Sequence, residues 1–381
     1  MSLCIPILKA TFIPLLVPLL SACFAREKQQ EIDRKTVAFV ESKGGVYVPL
    51  VDLIEMSYDD TVAPSGGEIP GFIFKKGLNF RLPDVNTRFG VRFTDAPWSP
   101  TSLDYLKGQK QLEYLLLGRT PINDTDLKKL QQFPQLRVLE LFSTHITDLG
   151  VKELTYCSRL ERLDLSGTGV SGVGLKELAK LEHLSALSLY STKITDNAIA
   201  ILRSYKKLSI LNLNYIPISD SGVKDLGAIR TLTKLDLSYT PVTDAGIREL
   251  RNSKNLTALR LVRATKVKGV GIGALSELRR LSYLDLGYTP ITNAGLKEIV
   301  KCKNVRTLKL KATMLTDEGL AELIALPKLQ HLDLGFTKIT DAGVKYLVKL
   351  KELSTLQVPR TDITEKGMSE MQKALPNCTV E

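Results

Sequence analysis

The 381-residue sequence has no uninterrupted run of about 20 apolar residues, the length a membrane-spanning helix needs. The nearest approach, Ala10–Ala25, is sixteen residues without a charge and is broken by Pro14 and Pro18. Histidine is scarce: His145, His183 and His331 are the whole complement. No second ligand of suitable type is expected beside His331 on a neighbouring strand, which argues against a metal centre. After residue 25 only Cys157, Cys302 and Cys378 remain, an odd and widely spaced set that is no disulfide framework. The glycine-rich GVGIG at 269–273 is followed by no GKS or GKT, so a phosphate loop is not supported. No glycine-rich nonapeptide of the calcium-binding kind occurs. Nothing resembles a catalytic constellation, so we expect no enzyme activity and no cofactor.

What is present is a basic, otherwise ordinary globular composition. It is 44% apolar and 24% charged, with 52 Lys and Arg against 41 Asp and Glu, a formal charge of +11. A basic balance permits acidic partners or anionic surfaces and proves neither.

The dominant signal is repetition. Residues 232–255 read LTKLDLSYTPVTDAGIRELRNSKN and 281–304 read LSYLDLGYTPITNAGLKEIVKCKN. Copies one to eleven start at Leu112, Leu136, Leu160, Leu184, Leu208, Leu232, Leu256, Leu281, Val305, Leu329 and Leu353. Every step is 24 residues except the seventh, which is 25. A degenerate copy at 88–111, with Val91, Phe93, Trp98 and Leu103 at the apolar positions, brings the total to twelve. In LxxLxL the fourth and sixth residues share parity, which predicts a short strand with one face in a core. A Thr follows the strand in most copies and predicts a hydroxyl ladder through the turns. The next Thr-Asp predicts a helix N-cap with an acid in the first turn. Two helical turns then lead to the next strand. No copy can bury its apolar side alone, whereas a stack can.

The pattern LxxLxLxxTxITDxGLxxL resembles the leucine-rich repeat in its Thr-bearing 24-residue bacterial form. It is similar to ribonuclease-inhibitor-like and F-box-associated arrays. The resemblance covers about 88–381 and implies an α/β solenoid: a curved horseshoe with a parallel sheet on the concave face and short helices outside. It also implies protein recognition on the concave side.

The flanks divide accordingly. Residues 1–22 read as a lipoprotein-type signal peptide, because Leu20-Ser21-Ala22-Cys23 resembles the lipobox, which implies lipidation at Cys23. An ordinary cleaved signal ending at Ala25 is the alternative. The expected location is exported and lipid-anchored, at the cell membrane or an outer membrane, with a secreted or periplasmic soluble protein second. Residues 23–87 are expected to be an N-terminal cap of one helix (27–42) and two strands, over the first repeat strand's edge. The array runs over 88–375, and 376–381 closes it.

Two rows of residues suggest the binding face. The fifth residue of successive copies gives Asp236, Arg260, Asp285, Lys309 and Asp333, alternating in sign. This reads as a self-neutralising ladder of exposed pairs or as a polar binding surface. Beside it lie Tyr190, Tyr215, Tyr239, Tyr288 and Phe336. Copy seven departs from the rest. Its extra residue is expected within 262–264, at the rim, and Lys268-Gly269 replaces the capping Thr-Asp. With Arg260, Arg263, Lys266 and Lys268 it concentrates positive charge. The expected function is a non-catalytic, membrane-anchored scaffold that binds a protein, with these four cations and the aromatic row as its contact residues. Carbohydrate or cell-wall binding by the aromatic row is the second reading, and an F-box-type ubiquitin-ligase substrate receptor the third. The acidic row interrupts any cationic stripe, so no nucleic acid partner is expected.

Overall fold

The computed structural model describes residues 32–50, 69–75, 78–93 and 99–381. Cys23, the signal-like segment and Trp98 lie outside the described residues.

Fifteen strands form one sheet in strict sequence order. The first two belong to the cap: β1 (Gly45–Leu50) pairs antiparallel with β2 (Ile69–Phe74). From β2 onward every pairing is parallel, beginning with β3 (Phe89–Phe93) of the degenerate copy and β4 (Leu112–Leu116) of copy one. The next strands are only three residues long. They are β5 (Val138–Glu140), β6 (Arg162–Asp164), β7 (Ala186–Ser188), β8 (Ile210–Asn212), β9 (Lys234–Asp236) and β10 (Ala258–Arg260). β11 (Tyr283–Asp285), β12 (Thr307–Lys309), β13 (His331–Asp333) and β14 (Thr355–Gln357) continue the series. Equivalent residues pair throughout, as Leu259 does with Leu235 and Leu284. The closing segment adds β15 (Thr379–Val380), which pairs with β14 and covers its edge.

The cap departs from expectation at its element ends. Its helix, Arg34–Ser42, starts later than 27 because Asp33 accepts the Lys35 and Thr36 N–H groups as N-cap. The second cap strand runs from Ile69 to Phe74, not over the 72–82 that FIFKKGLNFRL predicts.

The core is a continuous column. Leu115, Leu139, Leu163, Leu187, Leu211, Leu235, Leu259, Leu284, Leu308, Leu332 and Leu356 are all buried, as is the sixth-position residue beside each. Each leucine side chain removed from water contributes about 1.5–3 kcal/mol, but only when a neighbouring copy supplies the other wall. Cys157 and Cys302 sit in this core, where burial pushes both thiols up to about 12. They are packing residues. Strands repeat at about 4.8 Å, while packed helices need more room, so the sheet takes the inner side of the curve.

The Thr-Asp pair does more than cap one helix. Thr147 accepts the Leu149 N–H in its own copy and also meets the Asp of the copy before. Asp124 Oδ1 accepts the Thr147 N–H at 2.8 Å, and Oδ2 accepts the Thr147 hydroxyl at 2.6 Å. The same staple joins Asp148 to Ser171, Asp220 to Thr243, Asp317 to Thr340 and Asp341 to Thr364. These carboxylates are therefore engaged by protein donors, which accounts for the Asp row without an ion. The glycine three residues after each of these capping Thr or Ser residues is explained by the same contact with the preceding copy's Asp: a Cβ at Gly174 would lie 2.5 Å from Asp148 Oδ1.

The ninth-position Thr bonds the backbone of its own turn, copy upon copy, as expected. Its hydroxyl donates to the sixth-position carbonyl of its own copy, as Thr120 does to Leu117 at 2.7 Å and Thr313 to Leu310 at 2.7 Å. The backbone has already reversed there, so the nearest free carbonyl belongs to the same turn. The hydroxyl ladder that crosses copies is at the second position. There Ser209 donates to Ser185 O, Thr233 to Ser209 O and Thr257 to Thr233 O, at 2.9–3.1 Å.

Copy seven is corrected in two respects. Ala264, buried, takes the Thr position and donates its N–H to Leu261 O, while Thr265 is exposed. The extra residue therefore falls at Thr265–Lys266, past the rim and in the turn toward the helix. The missing cap is replaced from outside: Asp244 of copy six accepts the N–H groups of Lys268, Gly269 and Gly271 at 2.9, 3.1 and 2.8 Å. The helical segment is only a 3-10 turn, Ile272–Leu275.

Asp148→Ala is expected to cost about 1–3 kcal/mol, the penalty for leaving the Ser171 and Gly174 donors unpaired. Gly174→Ala alone should also destabilise, through the clash with Asp148. In the double variant that clash is gone, so the summed single costs should exceed the double cost in urea unfolding. Strict additivity would refute the staple.

Candidate binding face

Two surfaces adjoin where the strands end. The first is the concave face, built from third- and fifth-position side chains. In the first copies it carries an apolar cluster of Tyr114, Leu116, Val138 and Ala186 with Ile69 of the cap, beside the charged Glu140, Arg162 and Asp164. From copy six it is the charge ladder. Arg260 lies between Asp236 (Nε to Oδ2, 4.0 Å) and Asp285 (Nη2 to Oδ2, 3.6 Å). Lys309 follows, with its ammonium 5.8 Å from the Tyr283 ring centre, and then Asp333. His331 also faces this side and contacts the Thr355 hydroxyl at 3.3 Å.

The ladder is not the set of exposed pairs expected from the pattern. Asp236 and Asp285 are 1% and 4% exposed. Each turns one carboxylate oxygen back to its own chain: Asp236 accepts the Ser238 N–H at 2.8 Å and Asp285 the Gly287 N–H at 3.1 Å. Asp333 accepts the Gly335 N–H at 2.9 Å in the same way. Burial raises both Asp236 and Asp285 above the ordinary aspartate value, against the lowering effect of Arg260 and the backbone donors. Arg260 is thus held in the sheet, and its first role is to neutralise two buried acids.

The second surface is the rim. The eighth residue of every copy from one to eleven has left-handed backbone, with φ between 53° and 65°. Only copy three has a glycine there, Gly167. The others are Arg119, Ser143, Ser191, Tyr215, Tyr239, Arg263, Tyr288, Ala312, Phe336 and Arg360. Non-glycine residues pay about 1 kcal/mol or more for this conformation. Part of the compensation is a hydrogen bond that continues the ladder past the strand: Tyr239 N–H donates to Val262 O at 2.8 Å, and Arg263 N–H to Gly287 O at 2.9 Å. Sequence reading placed the aromatics in one row but missed the backbone that aims them. The available signal was the Gly at this position in copy three.

Along the rim the side chains form one stack. Tyr190 meets Tyr215 edge-on at 5.5 Å, and Tyr215 stacks on Tyr239 at 4.1 Å. The Arg263 guanidinium then lies between Tyr239 (5.6 Å) and Tyr288 (4.8 Å), and Lys311 between Tyr288 (6.0 Å) and Phe336 (5.1 Å). A stack of this kind holds side chains in place before any partner arrives. The expected residues Tyr190, Tyr215, Tyr239, Arg263, Tyr288 and Phe336 are brought together, and Lys311 joins them. Lys311 occupies the seventh position, as Tyr190 does, so the row itself could have revealed it. Lys266 and Lys268 are exposed but belong to the turn toward the helix, and Arg260 belongs to the sheet. The four cations of copy seven therefore lie on three different parts of the surface.

A family model described as Leucine Rich repeat matches residues 134–154, 156–179, 228–250, 279–300 and 325–348. The chain is a leucine-rich repeat solenoid. It is similar to the crystal structure of an internalin from Listeria monocytogenes, with a TM-score of 0.59 and 19% identity over 86% of this chain and 92% of that one. A leucine-rich repeat protein from Leptospira interrogans aligns with a TM-score of 0.36 and 21% identity, over 77% of this chain and 89% of that one. A search of curated proteins finds no match. Leucine-rich repeat arrays are typically protein-binding scaffolds, and neither the family match nor the fold points to an enzymatic function.

Asp341 should depart from the ordinary aspartate value in the opposite direction to Asp236 and Asp285 in carboxyl NMR. Asp236 and Asp285, raised by burial, should take up protons above the ordinary value of 3.8. Asp341, lowered chiefly by the Thr364 hydroxyl and then by its N–H, should do so below it. A raised folded-state value favours folding as pH falls, while a lowered one withdraws its stabilisation as pH falls through it. Acid should therefore withdraw stabilisation at the Asp341–Thr364 staple and not at Asp236 or Asp285. Asp341 titrating above Asp285 would contradict this.

Proposed function

We propose that this chain is a non-catalytic scaffold that holds a protein partner on its concave face and the adjoining rim, and that it is exported and lipid-anchored through Cys23. The observation that carries the binding reading is the rim stack centred on Arg263. Large aromatics that alternate with cations are the residue types that dominate interface energetics. Here they are exposed (Tyr215 50%, Phe336 49%) and yet already ordered by one another. Ordering that precedes binding lowers its entropic cost.

The carbohydrate reading is weakened by the same geometry. Sugar rings pack on aromatic faces, and Tyr215 and Tyr239 each turn a face to the other, while Arg263 lies over Tyr239 and Tyr288. The ubiquitin-ligase reading would need a helical domain before the array. The described residues there form one helix and strands paired into the sheet.

The anchor reading is supported by the Leu20-Ser21-Ala22-Cys23 pattern after an uncharged segment. Among the described residues no helix is long and apolar enough to cross a membrane. Metabolic labelling with a lipid precursor should mark the wild-type chain and not Cys23→Ala. Label that persists in the variant would remove the anchor.

The binding test must avoid Arg260. Reversing its charge would place a third carboxylate between two buried ones, at a cost on the order of 3 kcal/mol. Arg263→Glu with Tyr239→Ser leaves the sheet intact and should reduce crosslinked partner capture from native membranes by about tenfold or more, the loss of one hot spot. Unchanged capture by a variant that unfolds like the wild type would move the site elsewhere.

A further inference from the structure

The array's positive charge has an address that the repeat pattern does not advertise. Consider the last six residues before each copy's first leucine or valine, from 106–111 to 347–352, where the chain leaves a helical segment and enters a strand. These eleven turns hold 17 Lys and Arg against three acids, Glu182, Glu277 and Glu352. Over 112–381 the totals are 39 cations and 29 anions, of which 15 and three lie in these turns. What remains, 24 against 26, is slightly acidic. The edge where strands begin therefore carries the whole excess, and the pair Arg279 and Arg280 of copy seven is part of it.

All 17 cations are exposed. Because the strands are parallel and in register, the turns line one edge at about 4.8 Å per copy, an arc on the order of 50 Å long. Among the described residues only Lys180, Arg203, Lys206 and Lys301 have a carboxylate within 4 Å. Helix ends account for some of the rest: Lys303 and Lys351 donate to Ala325 O and Ala374 O, each at 3.0 Å. A short helix needs one such cation. The turn at 202–207 has three, Arg203, Lys206 and Lys207, and 275–280 ends in two arginines.

We propose that this edge is a second, independent interaction surface and that it lies against anionic lipid headgroups. An arc of separate exposed cations can meet a flat charged surface all along its length, which the concave face cannot. Tyr156 (62% exposed) and Ile324 (45%) lie on the same edge, as amphipathic and apolar side chains do at a headgroup boundary. Lys and Arg near such a surface are attracted additively within a Debye length. The inference rests on the proposed membrane attachment for location only. A lipid anchor is stabilised by a second, polybasic signal, and with the edge down the rim of Arg263 at the opposite ends of the strands faces away from the bilayer.

The test uses the full chain and phosphatidylcholine vesicles with and without phosphatidylglycerol, read by sedimentation. In the edge variant Lys207, Arg230, Arg251, Lys254, Arg279 and Arg280 become Gln. In the control variant the same number of charges is removed from the helical side, at Lys128, Lys152, Lys176, Lys224, Arg248 and Lys345. The extra binding that phosphatidylglycerol confers should fall about a hundredfold or more in the edge variant and much less in the control. It should also decline steeply with salt, while partner capture through Arg263 is unchanged. Equal losses in both variants would show a net-charge effect and overturn the proposal. So would a wild-type chain indifferent to phosphatidylglycerol, or one that binds heparin through this edge but not the anionic vesicles.

Discussion

Everything in this molecule depends on a leucine meeting the same leucine of the next copy. A 24-residue unit with a three-residue strand and one or two helical turns cannot nucleate or bury itself. Its stability comes from the interface with its neighbours, so the chain must keep register from β4 to β14. Register is then defended at every level of the turn. The leucines stack inside, second-position hydroxyls cross from copy to copy along the strand entrance, and first-turn aspartates reach the next capping Thr or Ser along the helical side. Because each device joins a copy to the next, an irregular copy is tolerated when its neighbour supplies what it lacks. Asp244 does this for copy seven, where its carboxylate holds three backbone N–H groups that the missing Thr-Asp would otherwise have organised.

The same repetition decides where function has room to act. Interior positions are fixed by packing, and staple positions are fixed by hydrogen bonds. The concave ladder looks free from its sequence, yet its acids are committed to the turn. Asp236, Asp285 and Asp333 all fold back on the N–H two residues on. Arg260 is the counter-charge this arrangement requires. The rim is different. A left-handed residue recurs in every copy from one to eleven and needs only a backbone that tolerates it, so its side chain is released from structural duty and projects outward. That is where tyrosines, a phenylalanine and arginines have accumulated in place of the glycine that the conformation favours.

Much of this was legible in the sequence, and the boundary of what was legible has a physical cause. The period of 24, the inward leucines, the capping Thr and the aromatic row follow from spacing along one chain. Contacts between copies do not. The Asp124–Thr147 staple links residues 23 apart in sequence, so an Asp in a first turn reads as a helix-dipole residue until its neighbour is placed beside it. The ninth-position Thr was legible for the converse reason: its partner carbonyl lies in its own turn, whereas the second-position hydroxyls that cross copies were not foreseen. The insertion in copy seven was assigned two or three residues early because alignment favours matching Thr with Thr265, whereas the core accepted Ala264 and left Thr265 in solvent.

Charge was the least legible property, and it shows why composition and position answer different questions. A formal +11 spread along 381 residues suggested a basic spot in copy seven. Once the copies are stacked, that spot divides among the sheet, the rim and the outgoing turn, and Arg279 and Arg280 join the strand-entrance edge. Carboxylates are drawn inward to cap helices and to brace the concave turns. Helix C-termini draw lysines to the opposite end of each copy. Stacking then integrates a weak preference of one copy into a continuous edge of a single sign. A solenoid amplifies in this way whatever bias its unit carries, so its two long edges and its inner face can acquire separate chemistry without any change of fold.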